Sequence, residues 1–149
     1  MTDSRENLRR RLDAIESAYE YMLAYAAQGL PSDAGAKDRG KVRAELGALA
    51  AALEGLGDSF GELIAHGDVE ARDEHLAFNQ VLTVDAANAL AAVRLVLAQR
   101  SIGSQLVDNL NASLHLRALL TDVFLVDEIL KVLGSSIPAA SSAVDPASE

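Results

Sequence analysis

The sequence predicts an all-α domain, and three observations carry the prediction. Half of the 149 residues are hydrophobic and only 4% are aromatic, with the strong helix formers Ala and Leu dominating the apolar set. Long stretches place apolar residues alternately four and three positions apart, which is the spacing of one seam along a helix. Glycines at Gly29, Gly67, Gly103 and Gly134 close these stretches and divide the chain into four periodic segments. The expected architecture is a four-helix up-and-down antiparallel bundle over residues 1–134, followed by a disordered tail over 135–149.

The first helix starts at Asp3 or Ser4, because Asp3 followed by Glu6 forms a capping-box variant that satisfies orphan backbone donors. Leu8, Leu12, Ile15, Tyr19, Met22 and Ala26 then form its seam, and Gly29 ends it. Residues 30–38 contain Pro31, Gly35 and three Asx or Ser positions without an apolar period, so they read as the longest internal loop, expected to be mobile. The second helix runs from about Lys41 to His66 with Val42, Leu46, Leu49, Leu53, Leu56, Phe60 and Leu63 in unbroken alternation. Four glycines lie inside it, and a break is expected near Gly57-Asp58.

His66-Gly67-Asp68 supplies a glycine stop and an N-cap for a tight turn. The third helix spans about Val69 to Arg100, and its segment Ala86 to Ala98 is apolar nearly all round, as expected of a helix contacted on several sides. That window includes Asn88 and Arg94 and is shorter than the about 20 apolar residues of a membrane span, so a buried helix is expected and no membrane. After Ser101-Ile102-Gly103 the fourth helix runs from about Ser104 to Leu133 and stops at Gly134. The up-and-down order puts Asp68, Glu70, Asp73 and Glu74 at the same end as Arg5, Arg9, Arg10 and Arg11, where opposite charges are expected to pair.

Composition also bounds function. A formal charge of −9 opposes binding to nucleic acid, whose affinity derives largely from phosphate neutralisation by Lys and Arg. The absence of cysteine excludes disulfides, thiolate metal sites and a cysteine nucleophile. Residues 1–6 lack the apolar core of a secretory signal, which leads to an expectation of a cytoplasmic protein. No Gly-x-Ser-x-Gly elbow and no phosphate-cradling glycine loop occurs, and no cofactor is expected.

The fourth helix carries the most informative pattern. At 100° per residue its apolar side chains form two sectors: Ala112, Leu116, Leu119, Val123, Val126, Leu130 and Leu133 in one, and Leu106, Leu110, Leu114 and Phe124 in the other. A helix with two apolar sides contacts two surfaces, so the second sector, or else the Ala-rich part of the third helix, is the expected interface with another protein or a second copy. The resulting reading is a non-enzymatic interaction module that forms a homodimer.

Between the sectors, Asp108, Asn111, His115 and Asp122 share one polar strip, and imidazole beside carboxylate is a donor set for a metal or a cofactor. A bundle holding such a group is the alternative reading. The Glu-x-x-His pairs of carboxylate-bridged di-metal bundles are missing, since Glu62 and His66 are four apart. The segment Leu114 to Leu120 resembles the phosphorylated segment of histidine phosphotransfer domains at His115. It departs from that pattern at Ala118 and Leu119, where a lysine and a small glycine-like residue are usual.

Overall fold

The computed structural model describes residues 2–35, 40–67 and 69–144. They form six α-helices and a short 3-10 turn at Asp33–Gly35, with no strand among the described residues. The helices are α1 (Thr2–Ala27), α2 (Lys41–Leu53), α3 (Leu56–His66), α4 (Arg72–Leu97), α5 (Ser104–Ala112) and α6 (Leu114–Val144). The all-α class holds, but the count of four is corrected to six because two expected helices are each broken once.

The first break falls at Glu54-Gly55, three residues before the expected place. Glu54 is extended (φ −71°, ψ 118°) and Gly55 is left-handed (φ 81°), a conformation that costs glycine little. A helix end leaves its last carbonyls without partners. Here Arg11 supplies them, its Nη1 donating to the carbonyls of Ala51 (3.2 Å), Ala52 (3.1 Å) and Glu54 (2.6 Å). Arg11 therefore caps α2, whereas the sequence had placed it against the acidic turn, whose Asp68 lies outside the described residues.

The second break is at Ser113, which is extended (φ −61°, ψ 133°) between α5 and α6. Its hydroxyl accepts from the His115 N–H at 3.3 Å and its carbonyl from the Arg117 N–H at 3.0 Å, which makes it the N-cap of α6. Helix α6 then passes through the expected stop at Gly134 and ends at Val144, so helix occupies much of the segment expected to be a disordered tail. Residues 145–149 lie outside the described residues.

Helix α1 packs on α2, α3 and α5, while α4 packs on α2, α3 and α6. Hydrogen bonds fix the directions. Arg43 meets the carbonyls of Leu97 and Gln99 while Asn79 meets Gly57, so α2 and α3 run antiparallel to α4. Tyr25 meets Ile102 and Met22 meets Asn111, so α5 runs back along α1. The core between them includes Leu8, Leu12, Ile15, Met22, Leu46, Leu56, Ile64, Leu82, Val93, Leu116, Leu119 and Val126.

On α1 the buried stripe is Leu8, Leu12, Ile15, Ala18, Met22 and Tyr25; Tyr19 and Ala26, expected in the seam, are only partly buried. The stripe takes two successive steps of three, from Leu12 to Ile15 and from Ile15 to Ala18, where the expected seam alternates. Tyr25 is 1% exposed, and its hydroxyl donates to the Ile102 carbonyl at 2.6 Å.

The part of the long loop that is described is tied down. Asp33 accepts from the Ile102 N–H (2.9 Å) and from Arg43 Nε (2.8 Å), and Arg43 also donates to the carbonyls of Leu97, Gln99 and Arg100. Leu30 and Ser104 bond reciprocally, and the Ser104 hydroxyl donates to the Tyr25 carbonyl at 2.6 Å. Gly103 permits this approach, since a Cβ there would sit 2.7 Å from the Pro31 carbonyl oxygen. The expected mobility is thus replaced by a latch over residues 30–34, while 36–39 lie outside the described residues.

Candidate interaction surface

Helix α4 carries two apolar seams. Leu82, Ala86, Ala89, Val93 and Val96 are buried in the core at spacings of four and three. Ala77, Val81, Val84, Asn88, Ala91, Leu95 and Ala98 follow the same alternation and are all exposed. At 100° per residue the two seams are about 150° apart, so the second points away from the core. The sequence expectation of a buried helix contacted on several sides is corrected: the apolar character of residues 86–98 is divided between a core seam and a solvent seam.

Helix α6 continues this face. Asp122 of α6 faces Asp85 of α4, which sets the two helices side by side and level at that point. The exposed large hydrophobic residues are Leu23 of α1, four on α4 (Leu76, Val81, Val84, Leu95) and four on α6 (Leu114, Phe124, Leu125, Val132). Among the residues whose side chains are described, eight of the nine are therefore on two neighbouring helices, with Leu95 66% and Leu114 79% exposed; Leu76 and Phe124 point away from the side the two helices share. Scattered surface leucines are ordinary, but a contiguous concentration marks a contact surface.

The sector expected to form the interface, Leu106, Leu110, Leu114 and Phe124, is divided by the Ser113 break. Leu110 lies in the core at 4% exposure and Leu106 packs against it, while Leu114 and Phe124 are exposed. The Ala-rich part of the third expected helix, the other surface the sequence offered, is α4; its outer seam was not resolved residue by residue there, although the alternating spacing over Ala77 to Ala98 is the signal that identifies it.

The polar strip does not assemble. His115 and Asp108 are exposed; Asp108 lines a shallow groove with Ala26, Gly29, Leu30, Pro31, Ser104 and Gln105. Asn111 is buried on the α1 side, donating from Nδ2 to the Met22 carbonyl at 3.3 Å, and its Oδ1 has no hydrogen-bond partner. Asp122 is buried on the α4 side. Helix phase is reset at Ser113, so the four residues point to different places. Among the described residues, no group of three or more His, Cys, Asp or Glu side chains is arranged to hold a metal ion.

Two carboxyl sites remain. Burial, reinforced by the neighbouring Asp85 carboxyl, pushes Asp122 up to about 7. Glu16 of α1 is held above the usual carboxylate range by burial and then by Asp127 of α6. Both are acidic contacts between helices, with Asp122 buried and Glu16 half-buried beside Asp127.

Among the described residues α4 is the one helix long and apolar enough to cross a membrane, with a mean hydropathy of 1.4 over an 18-residue window of which 28% is buried. No protein-family profile, curated protein or solved structure matches this chain.

Proposed function

We propose that this chain is a non-enzymatic helical interaction module, a bundle whose six helices lie in four antiparallel columns and which docks a protein through the outer face of α4 and α6. The observation that carries the reading is that eight of the nine exposed large hydrophobic residues among the described side chains are on those two helices, Val81, Val84, Leu95, Leu114, Leu125 and Val132 on their outer side. Leu114 belongs to that face; Phe124, about 200° round α6 from Asp122, is exposed on the side away from α4, and Leu106 and Leu110 pack in or against the core. Burial of a Leu or Val side chain contributes roughly 1.5–3 kcal/mol, so a few such residues at the centre of a contact supply most of its affinity.

A protein partner fits the face better than a lipid surface. Asn88 sits in the middle of the α4 seam, and Arg94 is the basic residue flanking it. Helices that lie on membranes carry Lys and Arg along their polar face, and a chain of net charge −9 is repelled by anionic lipid.

Native mass spectrometry of the untagged protein isolated from its own cells tests the reading, with the double variant V84E/L95E alongside. The wild type is expected to carry a second polypeptide, either another copy or a different chain, and the variant to carry none. A wild type that travels alone, or a variant that retains the same companion, contradicts the proposal.

A further inference from the structure

The outer seam of α4 is self-complementary. Building on the docking role proposed above, we infer that its occupant is a second copy of this chain, whose α4 lies antiparallel to the first about a two-fold axis near residues 89 and 90. A two-fold interface requires that whenever residue i meets j, j also meets i. In an antiparallel pair of helices the residues on the two edges of the seam alternate, so each layer joins one edge to the other. An axis between 89 and 90 then sets Leu95 against the partner's Val84, Ala91 against the partner's Asn88, and Ala98 against the partner's Val81. Every exposed seam residue from Val81 to Ala98 finds a counterpart, and none is left facing water.

Asn88 and charge select this arrangement. Asn88 and the partner's Asn88 fall in adjoining layers beside the axis, where each carboxamide offers both a donor and an acceptor to the other. A single polar residue in an apolar seam restricts register, and the one-heptad slip that keeps the two amides in adjoining layers sets Asp85 against the partner's Asp85. On the flanks, Arg94 faces the partner's Ala87 and Asp85 faces the partner's Ala92, so no like charges are opposed. A parallel pair would instead set Asp73 beside the partner's Asp73 and Glu74 beside the partner's Glu74; the antiparallel pair sends them to opposite ends. The seam covers about 33 Å of helix, and the exposed Leu114 and Leu125 of α6 extend the contact to one side.

The chain contains no cysteine, so introduced thiols report without background. In V84C/L95C the two sites are about 16 Å apart along their own helix and cannot bond to each other within a chain. Mild oxidation of this variant at micromolar concentration is expected to convert most of it to a covalent dimer. An equimolar mixture of V84C and L95C is expected to cross-link as a mixed pair, and this covers the case in which the double variant folds poorly. V81C alone is expected to remain uncoupled, because the axis holds its two copies about 25 Å apart.

Coupling of V81C to itself without a V84C-L95C product means a parallel pair and overturns the inference. So does a sedimenting dimer that none of the thiols captures, since another surface then holds it. A monomer that binds phosphatidylcholine-phosphatidylglycerol vesicles through this face also overturns it. If native mass spectrometry finds a different polypeptide on the wild type that V84E/L95E loses, the second-copy inference fails while the docking role stands. If it finds no companion of either kind, both fail.

Discussion

Helices α1 and α4 are each 26 residues long, and each buries one stripe in the same core. Their outer faces differ. On α1 the exposed positions at spacings of four and three are Glu6, Arg10, Asp13, Ser17, Glu20, Ala24 and Ala27; on α4 they are Ala77, Val81, Val84, Asn88, Ala91, Leu95 and Ala98. Identical geometry thus carries a charged surface on one helix and an apolar seam on the other. The α1 face is finished by water, whereas the α4 face exposes residues whose free energy falls when another surface excludes water from them. The comparison teaches that exposure alone does not identify an interface, but the same helical register filled with opposite chemistry does.

The largest expected effect breaks this contrast directly. V84E/L95E is expected to weaken association at least 100-fold, while glutamate at Ser17 of α1 leaves it unchanged; both should keep their monomer stability within about 0.5 kcal/mol, since both sites are exposed. Concentration-dependent sedimentation with parallel thermal melts measures the two effects separately.

The interior offers a second contrast, between a saturated polar latch and an unsatisfied carboxyl pair. D33A removes the acceptor of both the Ile102 N–H and Arg43, and is expected to cost about 2–4 kcal/mol in urea unfolding. The Ile102 N–H, followed by Arg43, holds the Asp33 carboxyl below the usual range. Its contribution is therefore present above about pH 4 and is lost as the pH falls further, so the cost of D33A should shrink in acid.

Asp122 behaves in the opposite sense. A carboxyl whose folded value is raised to about 7 keeps its proton in the native state, so its contribution is complete below about pH 4 and is lost as pH rises through 7. D122N, which mimics the protonated form, is expected to match the wild type near pH 4 and to exceed it by on the order of 1–3 kcal/mol at pH 8. Equal stability at both values would remove the Asp85–Asp122 contact from the account.

The smallest effects concern the helix breaks. G55A forces a side chain into the left-handed region and S113A deletes the α6 N-cap; each is expected to cost about 1 kcal/mol. G57A is the control with a different cause, because its Cβ would collide with the Thr83 side chain, and T83A should recover part of the loss.

These breaks mark where the sequence could be read and where it could not. The seam of α1 was visible because Leu8, Leu12, Ile15 and Met22 are large, regularly spaced and flanked by charge. The interruption in the second helix was visible from its glycines, but the unbroken alternation across Leu53 and Leu56 hid its place at Gly55, since both leucines remain buried on either side of it. Ser113 was concealed in the same way: a cap is recognised at the edge of a periodic run, and here periodicity continues past it. The latch was illegible because Asp33, Arg43, Ile102 and Ser104 are distant in sequence and only the fold brings them together.

The candidate surface was partly legible. Surplus apolar area was evident, Leu114 and Phe124 are exposed, and the Ala-rich part of the third expected helix was one of the two surfaces offered, but its residues were not sorted into a core seam and an outer seam. An Ala-rich segment that is apolar all round looks the same in sequence whether it is buried on every side or divided between a core and a docking face. What separates the two is a second seam in heptad spacing with a single polar residue, Asn88, at its middle.

The most direct test of the outer α4 seam as an interface between copies is sedimentation velocity of the wild type, V84E/L95E and A24E over a wide concentration range. The wild type and A24E are expected to reach the dimer mass while V84E/L95E stays monomeric. The same mass for all three proteins would contradict the account.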